Sequence, residues 1–213
     1  MEKLLETFKV LKQKNLSIDL TRGKPHSDQL DLSNNLMTQA VDPIGENGVD
    51  LRNYGEPIGI IEARKLGADI LDSKIDLTIA GEQSSYLLMT QLLLGRFLFG
   101  LDDDPWKNDK EPAFLCAVPG FDRHFATLEG LGLKMHTVNL CSSGIDLDDL
   151  NKKLSKYPNI KGLICVPRHS NPSGEVFSDE NITNLLKITK EYNSSFINLF
   201  DHAYLIHDFD ETR

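Results

Sequence analysis

A three-layer α/β/α fold around a mostly parallel sheet is predicted by three observations. Ala113-Phe114-Leu115-Cys116-Ala117-Val118 and Gly162-Leu163-Ile164-Cys165-Val166-Pro167 are continuous apolar runs of strand length, as strands covered on both faces require. Helical periodicities alternate with such runs through the second half of the chain. Each run then breaks at a Gly, Pro, Asn or Asp turn that leads into a helix start. A sheet of about five strands is expected, preceded by a helical N-terminal segment.

The chain has 213 residues, 40% of them hydrophobic, which suits a folded domain with a full core. Its net charge of −9 is spread along the sequence, whereas a nucleic-acid partner would require a basic face. No apolar stretch reaches the ~18 residues of a membrane span. The opening Met1-Glu2-Lys3-Leu4-Leu5-Glu6 carries acids within an amphipathic pattern and does not read as a signal peptide. Cys116, Cys141 and Cys165 lie far apart and are odd in number, so buried free thiols in a cytoplasmic protein are expected.

In chain order, residues 2–14 form a helix with apolar positions at Leu4, Leu5, Phe8, Val10 and Leu11. Leu20-Thr21-Arg22-Gly23-Lys24-Pro25 is a loop in which Gly23 permits an unusual backbone angle; a plain turn before Pro25 is the alternative. Residues 28–40 read as a helix capped near Asp31 or Ser33. Pro43, Gly45, Asn47 and Gly48 mark a loop, and a helix follows through Ile61, Ala63, Leu66 and Ile70. We place an N-terminal segment at residues 1–50 and the main domain at 51–213.

Ile75 to Ala80 alternates like a short strand and breaks at Gly81-Glu82-Gln83-Ser84-Ser85 before a long apolar helix from Tyr86 to Phe99. A strand, a Gly turn and a helix amino end make an anion site, because the first helical N–H groups are unpaired and the dipole there is positive. Serine capping of an ordinary turn is the alternative. No Gly-Lys-Ser/Thr follows, so a nucleoside triphosphate is not expected. The acidic run 102–104 lacks the Gly and terminal Glu of a calcium loop and reads as solvated surface.

The strand at 113–118 ends at Pro119-Gly120-Phe121-Asp122, and His124 follows on the next helix, where a core or capping role is expected and a pocket role beside Phe121 is the alternative. Residues 134–140 form a strand; Gly144 to Leu150 opens a helix ending near Tyr157. After the 162–167 strand comes Ser170-Asn171-Pro172-Ser173-Gly174. Ser178 then caps a helix, a strand covers 195–200, and Asp201-His202-Ala203-Tyr204 closes it. Ligands of open α/β sheets sit at the carboxyl ends of the strands, where Asn171 and Asp201 both fall. His202 and His207 are off one helical face, so no metal site is expected.

Four dispersed motifs, in order, are Arg22-Gly23-Lys24-Pro25, Pro119-Gly120-Phe121-Asp122-Arg123-His124-Phe125, Asn171-Pro172-Ser173-Gly174 and Asp201-His202-Ala203-Tyr204. Together they resemble the fold-type I aminotransferases that use pyridoxal 5'-phosphate, in the aspartate aminotransferase-like subgroup. The resemblance implies the large domain of that family, incomplete here. It implies a cofactor phosphate cradle at Gly81, Glu82, Gln83 and Ser84, with the Glu82 carboxylate turned away from the phosphate. Phe121 would stack on the pyridine ring, where the family more often has Tyr or Trp. Asp201 would keep the ring nitrogen protonated, and Asn171 and Tyr204 would donate to the ring oxygen. Gly23 would offer its N–H to the substrate carboxylate. Tyr54 would reach the cofactor phosphate of a neighbouring subunit in a homodimer; a Tyr that staples the helix start is the alternative reading.

No lysine follows Lys190, and Lys190 lies in the helix before Asp201. The family's Schiff-base lysine lies after the Asp-x-Ala-Tyr motif, so no catalytic residue is assigned. The expected function is the N-terminal part of an enzyme moving an amino group between an amino acid, such as aspartate, and a 2-oxo acid, inactive as this piece. The alternative is a non-catalytic subunit that binds pyridoxal phosphate or a partner chain. No nucleic acid, membrane or metal partner is expected.

Overall fold

The computed structural model describes residues 2–19, 21, 23–81, 83–101 and 103–208. The chain separates into two units, residues 1–44 and 45–213.

The first unit holds helix α1 (Glu2–Gln13), the short helix α2 (Ser27–Asp31) and a 3-10 turn at Asn34–Thr38. The single helix expected over 28–40 is therefore broken. Ser33 Oγ donates to the Leu30 carbonyl and Asn34 Nδ2 to Asp31, so polar side chains compete with the backbone for the next turn. His26 caps α2 in a reciprocal box with Gln29, not Asp31 or Ser33. Gly23 is not in the left-handed region, and a Cβ there would meet nothing.

The second unit is built on a five-stranded sheet in the order β3-β2-β1-β4-β5. The strands are β1 (Ala113–Val118), β2 (Lys134–Cys141), β3 (Gly144–Ile145), β4 (Ile160–Cys165) and β5 (Ile197–Phe200). β1 pairs in parallel with β2 and β4, and β4 with β5. The two-residue β3 runs antiparallel to β2, in the stretch expected to open a helix. It is fixed by buried Asn181, which accepts from Ile145 N–H and donates to its carbonyl.

Alternate residues of each strand enter different cores. Leu115, Val138, Leu163 and Cys165 pack with Leu150 and Leu154 of α6 (Leu147–Lys156) and Leu185 of α7 (Asp179–Tyr192). Phe114, Cys116 and Ile164 pack on the opposite face with Leu93 of α4 (Ser85–Phe99) and Leu128 of α5 (Asp122–Gly130). Period-two alternation explains the division. The result is the expected three-layer arrangement.

The strand expected at 75–80 does not form. Residues Ile75–Leu77 curl into a 3-10 turn after α3 (Ile61–Ile70). Arg64 donates to the Ile75 and Thr78 carbonyls, which removes them from any ladder, and Ile79 is left 63% exposed. Cys116 and Cys165 are buried, and burial pushes the Cys116 thiol up to about 12. Cys141, expected to be buried, is exposed where β2 ends.

Candidate functional site

Parallel strands bring their carboxyl ends to one edge, so the loops after β1, β4 and β5 meet there. The meeting point is Asp201, 7% exposed. Its backbone N–H donates to the Cys165 carbonyl and continues the β4–β5 ladder by one residue. One carboxylate oxygen accepts from the Ala203 N–H at 3.0 Å. The other lies 2.9 Å from Nε2 of His124, which is 4% exposed.

Burial alone would raise the Asp201 carboxyl. The His124 hydrogen bond and charge, the Ala203 N–H and the His202 charge outweigh it and hold the group below the ordinary carboxylate range. Asp201 is therefore a carboxylate kept ionised in a water-poor setting, suited to facing a protonated nitrogen.

His124, expected in the core or as a cap with a pocket role as the alternative, is buried and is the partner of Asp201. The signal lies in the spacing. Phe121 and His124 are three apart at the start of α5, which puts them on one side of the helix. Their rings meet edge to face at 5.2 Å.

Asn171 and Tyr204 are brought together, with Asn171 Nδ2 donating to Tyr204 Oη at 3.5 Å. The 170–175 loop closes on itself: Gly174 N–H donates to Ser170 O, and Ser170 N–H to Glu175 O. Gly174 has φ +82°, a conformation that favours glycine. A further cluster was not foreseen. Asp208 binds Arg168 at 2.8 Å and His169 at 2.6 Å, tying the turn after β5 to the loop after β4. Nδ1 of His202 is buried without a hydrogen bond among the described residues.

Gly81, Gln83 and Ser84 precede the amino end of α4, as expected; Glu82 lies outside the described residues. Ser84 is the N-cap, and its side chain makes no capping bond. The α4 amino end is joined to the Asp201 region through α5: Thr127 Oγ1 donates to Tyr86 Oη at 2.6 Å, one turn beyond His124.

Tyr54 is 95% exposed, so it does not staple the start of α3. Its loop is held by Arg52 on Asp50 and Asn47 on Glu56. Gly23 belongs to the first unit. Among the described residues no cluster of His, Cys, Asp and Glu has a metal-holding arrangement, and no helix is long and apolar enough to cross a membrane.

The chain matches the family described as aspartate amino-transferase over residues 1–212. An aspartate aminotransferase of Corynebacterium glutamicum is 36% identical over 212 residues, 97% of this chain and 48% of that protein. The crystal structure of an aspartate transaminase from the same organism superposes with a TM-score of 0.85 at 35% identity, covering 95% of this chain and 48% of that one. An α-aminoadipate aminotransferase of Thermus thermophilus, complexed with N-(5'-phosphopyridoxyl)-L-leucine, shares the fold at 20% identity and a TM-score of 0.56, over 71% of this chain and 35% of that one. The chain thus spans about half the length of the curated relatives it matches.

Proposed function

Because the chain belongs to the aspartate aminotransferase family of fold-type I aminotransferases, we propose that it supplies the cofactor-binding front half of a pyridoxal-phosphate-dependent aminotransferase. The complete protein would move an amino group between an amino acid, aspartate being the first candidate, and a 2-oxo acid. The observation that carries this reading is the buried, ionised Asp201 gripped by His124, with the Asn171–Tyr204 pair on the same sheet edge.

The residues fit the cofactor by their chemistry. The ring, when bound, supplies an electron sink whose strength depends on a protonated nitrogen. Asp201 would hold that proton by opposite charge in a low dielectric. His124 orients the carboxylate and occupies one of its oxygens, so the other faces the site apart from its Ala203 contact. Asn171 and Tyr204 would donate to the anionic ring oxygen. Phe121 would cover one ring face and exclude water from it. Gly81, Gln83 and Ser84, ahead of the amino end of α4, would receive the phosphate. Gly23 would bind the substrate carboxylate. Tyr54, fully extended into solvent, would reach the phosphate of a second subunit, which makes the complete protein a homodimer. Two buried free thiols and a net charge of −9 favour a cytoplasmic protein with small-molecule partners.

The lysine that would carry the cofactor is not among residues 191–213. The alternative reading is a subunit that binds the cofactor or a partner chain without turnover. The deciding experiment is the intact mass of the protein from its source cells before and after borohydride reduction. A longer protein that gains one cofactor supports the enzyme. A protein ending at Arg213 with no gain removes catalysis from the reading and leaves binding. Absence of saturable pyridoxal phosphate absorbance changes on titration of the chain would remove binding as well.

A further inference from the structure

A cofactor held at two ends needs those ends at a set distance. Resting on the cofactor reading above, the two ends here are the amino end of α4 and the Asp201 carboxylate. They lie on different parts of the chain, and residues 78–81, ahead of α4, form neither helix nor strand. Its N-cap, Ser84, makes no side-chain capping bond. Among the described residues, a polar contact ties the first turn of α4 to α5. The Tyr86 side chain leaves the second position of α4 and meets Thr127 of α5 at 2.6 Å. Thr127 Oγ1 also lies 3.3 Å from the Arg123 carbonyl one turn back on α5. His124 stands one turn earlier on α5 and grips Asp201.

Leu93 of α4 and Leu128 of α5 share one core, with Met89 and Phe125 packed against it, so apolar contacts hold the helices together. A small gap of about 10 Å³ remains where Tyr86, Met89, His124 and Thr127 meet, and the polar pair lies at its edge. A hydroxyl pair at 2.6 Å is short, directional and intolerant of sliding.

We propose that the Tyr86–Thr127 pair is a strut, a positioning element that sets the distance between the phosphate cradle and the ring-nitrogen carboxylate. Neither hydroxyl touches the cofactor in this role. The strut determines whether a phosphate-bearing pyridine ligand meets both ends together, or only one well.

The test compares two probes on the 213-residue chain. Pyridoxal phosphate uses both ends; pyridoxal, the same ring without phosphate, uses only the Asp201 end. The ratio of their dissociation constants reports what the phosphate end adds. Tyr86→Phe and Thr127→Val each lower that ratio about fivefold, the size of one lost hydrogen bond. Thr127→Ser keeps the hydroxyl and the parent ratio. A change that merely loosens the fold weakens both probes alike and leaves the ratio unmoved, and that result overturns the strut. So does a Thr127→Ser protein that behaves as Thr127→Val. A parent chain that binds pyridoxal phosphate while the ratio stays constant in every variant overturns the strut alone. A parent that binds neither probe overturns the cofactor reading and the strut with it.

Discussion

Burial would raise the Asp201 carboxyl, but three neighbours, His124 first among them, then Ala203 and His202, outweigh it and hold the group below the ordinary carboxylate range. Replacing the carboxylate tests its role without changing its shape. Asp201→Asn should weaken pyridoxal phosphate binding by about tenfold or more, since a charge pair worth one pKa unit is a factor of ten. Absorbance titration measures it, with far-UV circular dichroism as the control for folding. His202 provides a pH prediction. Burial holds its imidazole below the ordinary range; Asp201 opposes that, and the Arg168 charge adds to it. Below about pH 6.5 the unfolded chain takes up a proton that the folded chain resists. Stability from this group is therefore complete above that pH and is lost as pH falls toward the depressed folded value. The urea midpoint should drop between about pH 7.5 and about pH 5.5, and less steeply in His202→Gln. His136, also held low, chiefly by burial, accounts for part of the slope that remains.

At the scale of elements, β4 has no room for a side chain at Gly162. A Cβ there would lie 2.4 Å from the Ile197 carbonyl oxygen of β5 and 2.4 Å from the Phe114 ring. Gly162→Ala should overpack the sheet and cost about 1–3 kcal/mol, read as a lower denaturant midpoint. The α7–β3 tie makes a second case. Asn181 serves both backbone groups of the buried Ile145, so Asn181→Leu strands its N–H and leaves its carbonyl only the long Cys141 thiol contact. A loss of about 1–3 kcal/mol for the stranded donor is expected in the same assay. The failed strand at 75–80 also belongs here. Its alternation is present, but a strand exists only where another backbone pairs with it, and Arg64 has taken two of its carbonyls.

For the whole molecule, the contrast between the two units decides what is expected. No described residue of 2–44 is buried, whereas residues 113–118 and 160–166 of the second unit lie almost wholly inside. Apolar burial is the dominant favourable term in folding, so the second unit carries the stability. Limited proteolysis should remove residues before 45 first and leave a resistant core containing β1 to β5, identified by mass. A ligand of the second unit acts on the same core. Pyridoxal phosphate at a hundred times its dissociation constant should add about 2.7 kcal/mol and raise the melting temperature, an effect reduced in Asp201→Asn.

Apolar runs and helix signals were enough to read the parallel sheet, its helices and their order, because period and length depend on local chemistry alone. Motif spacing likewise marked Asn171, Asp201, Tyr204 and the α4 turn before any contact was known. Long-range pairing was not legible. That His124 serves Asp201, 77 residues away, follows from the β1 and β5 loops sharing one edge. That Asp208 joins Arg168 and His169, and Tyr86 joins Thr127, follows from helices and loops packed side by side. The failure at 75–80, the break in the 28–40 helix and the exposure of Cys141 have the same origin. A residue's own neighbours in the chain fix its local preference, but its partners depend on which distant backbone arrives beside it, and that arrangement exists only once the core has closed.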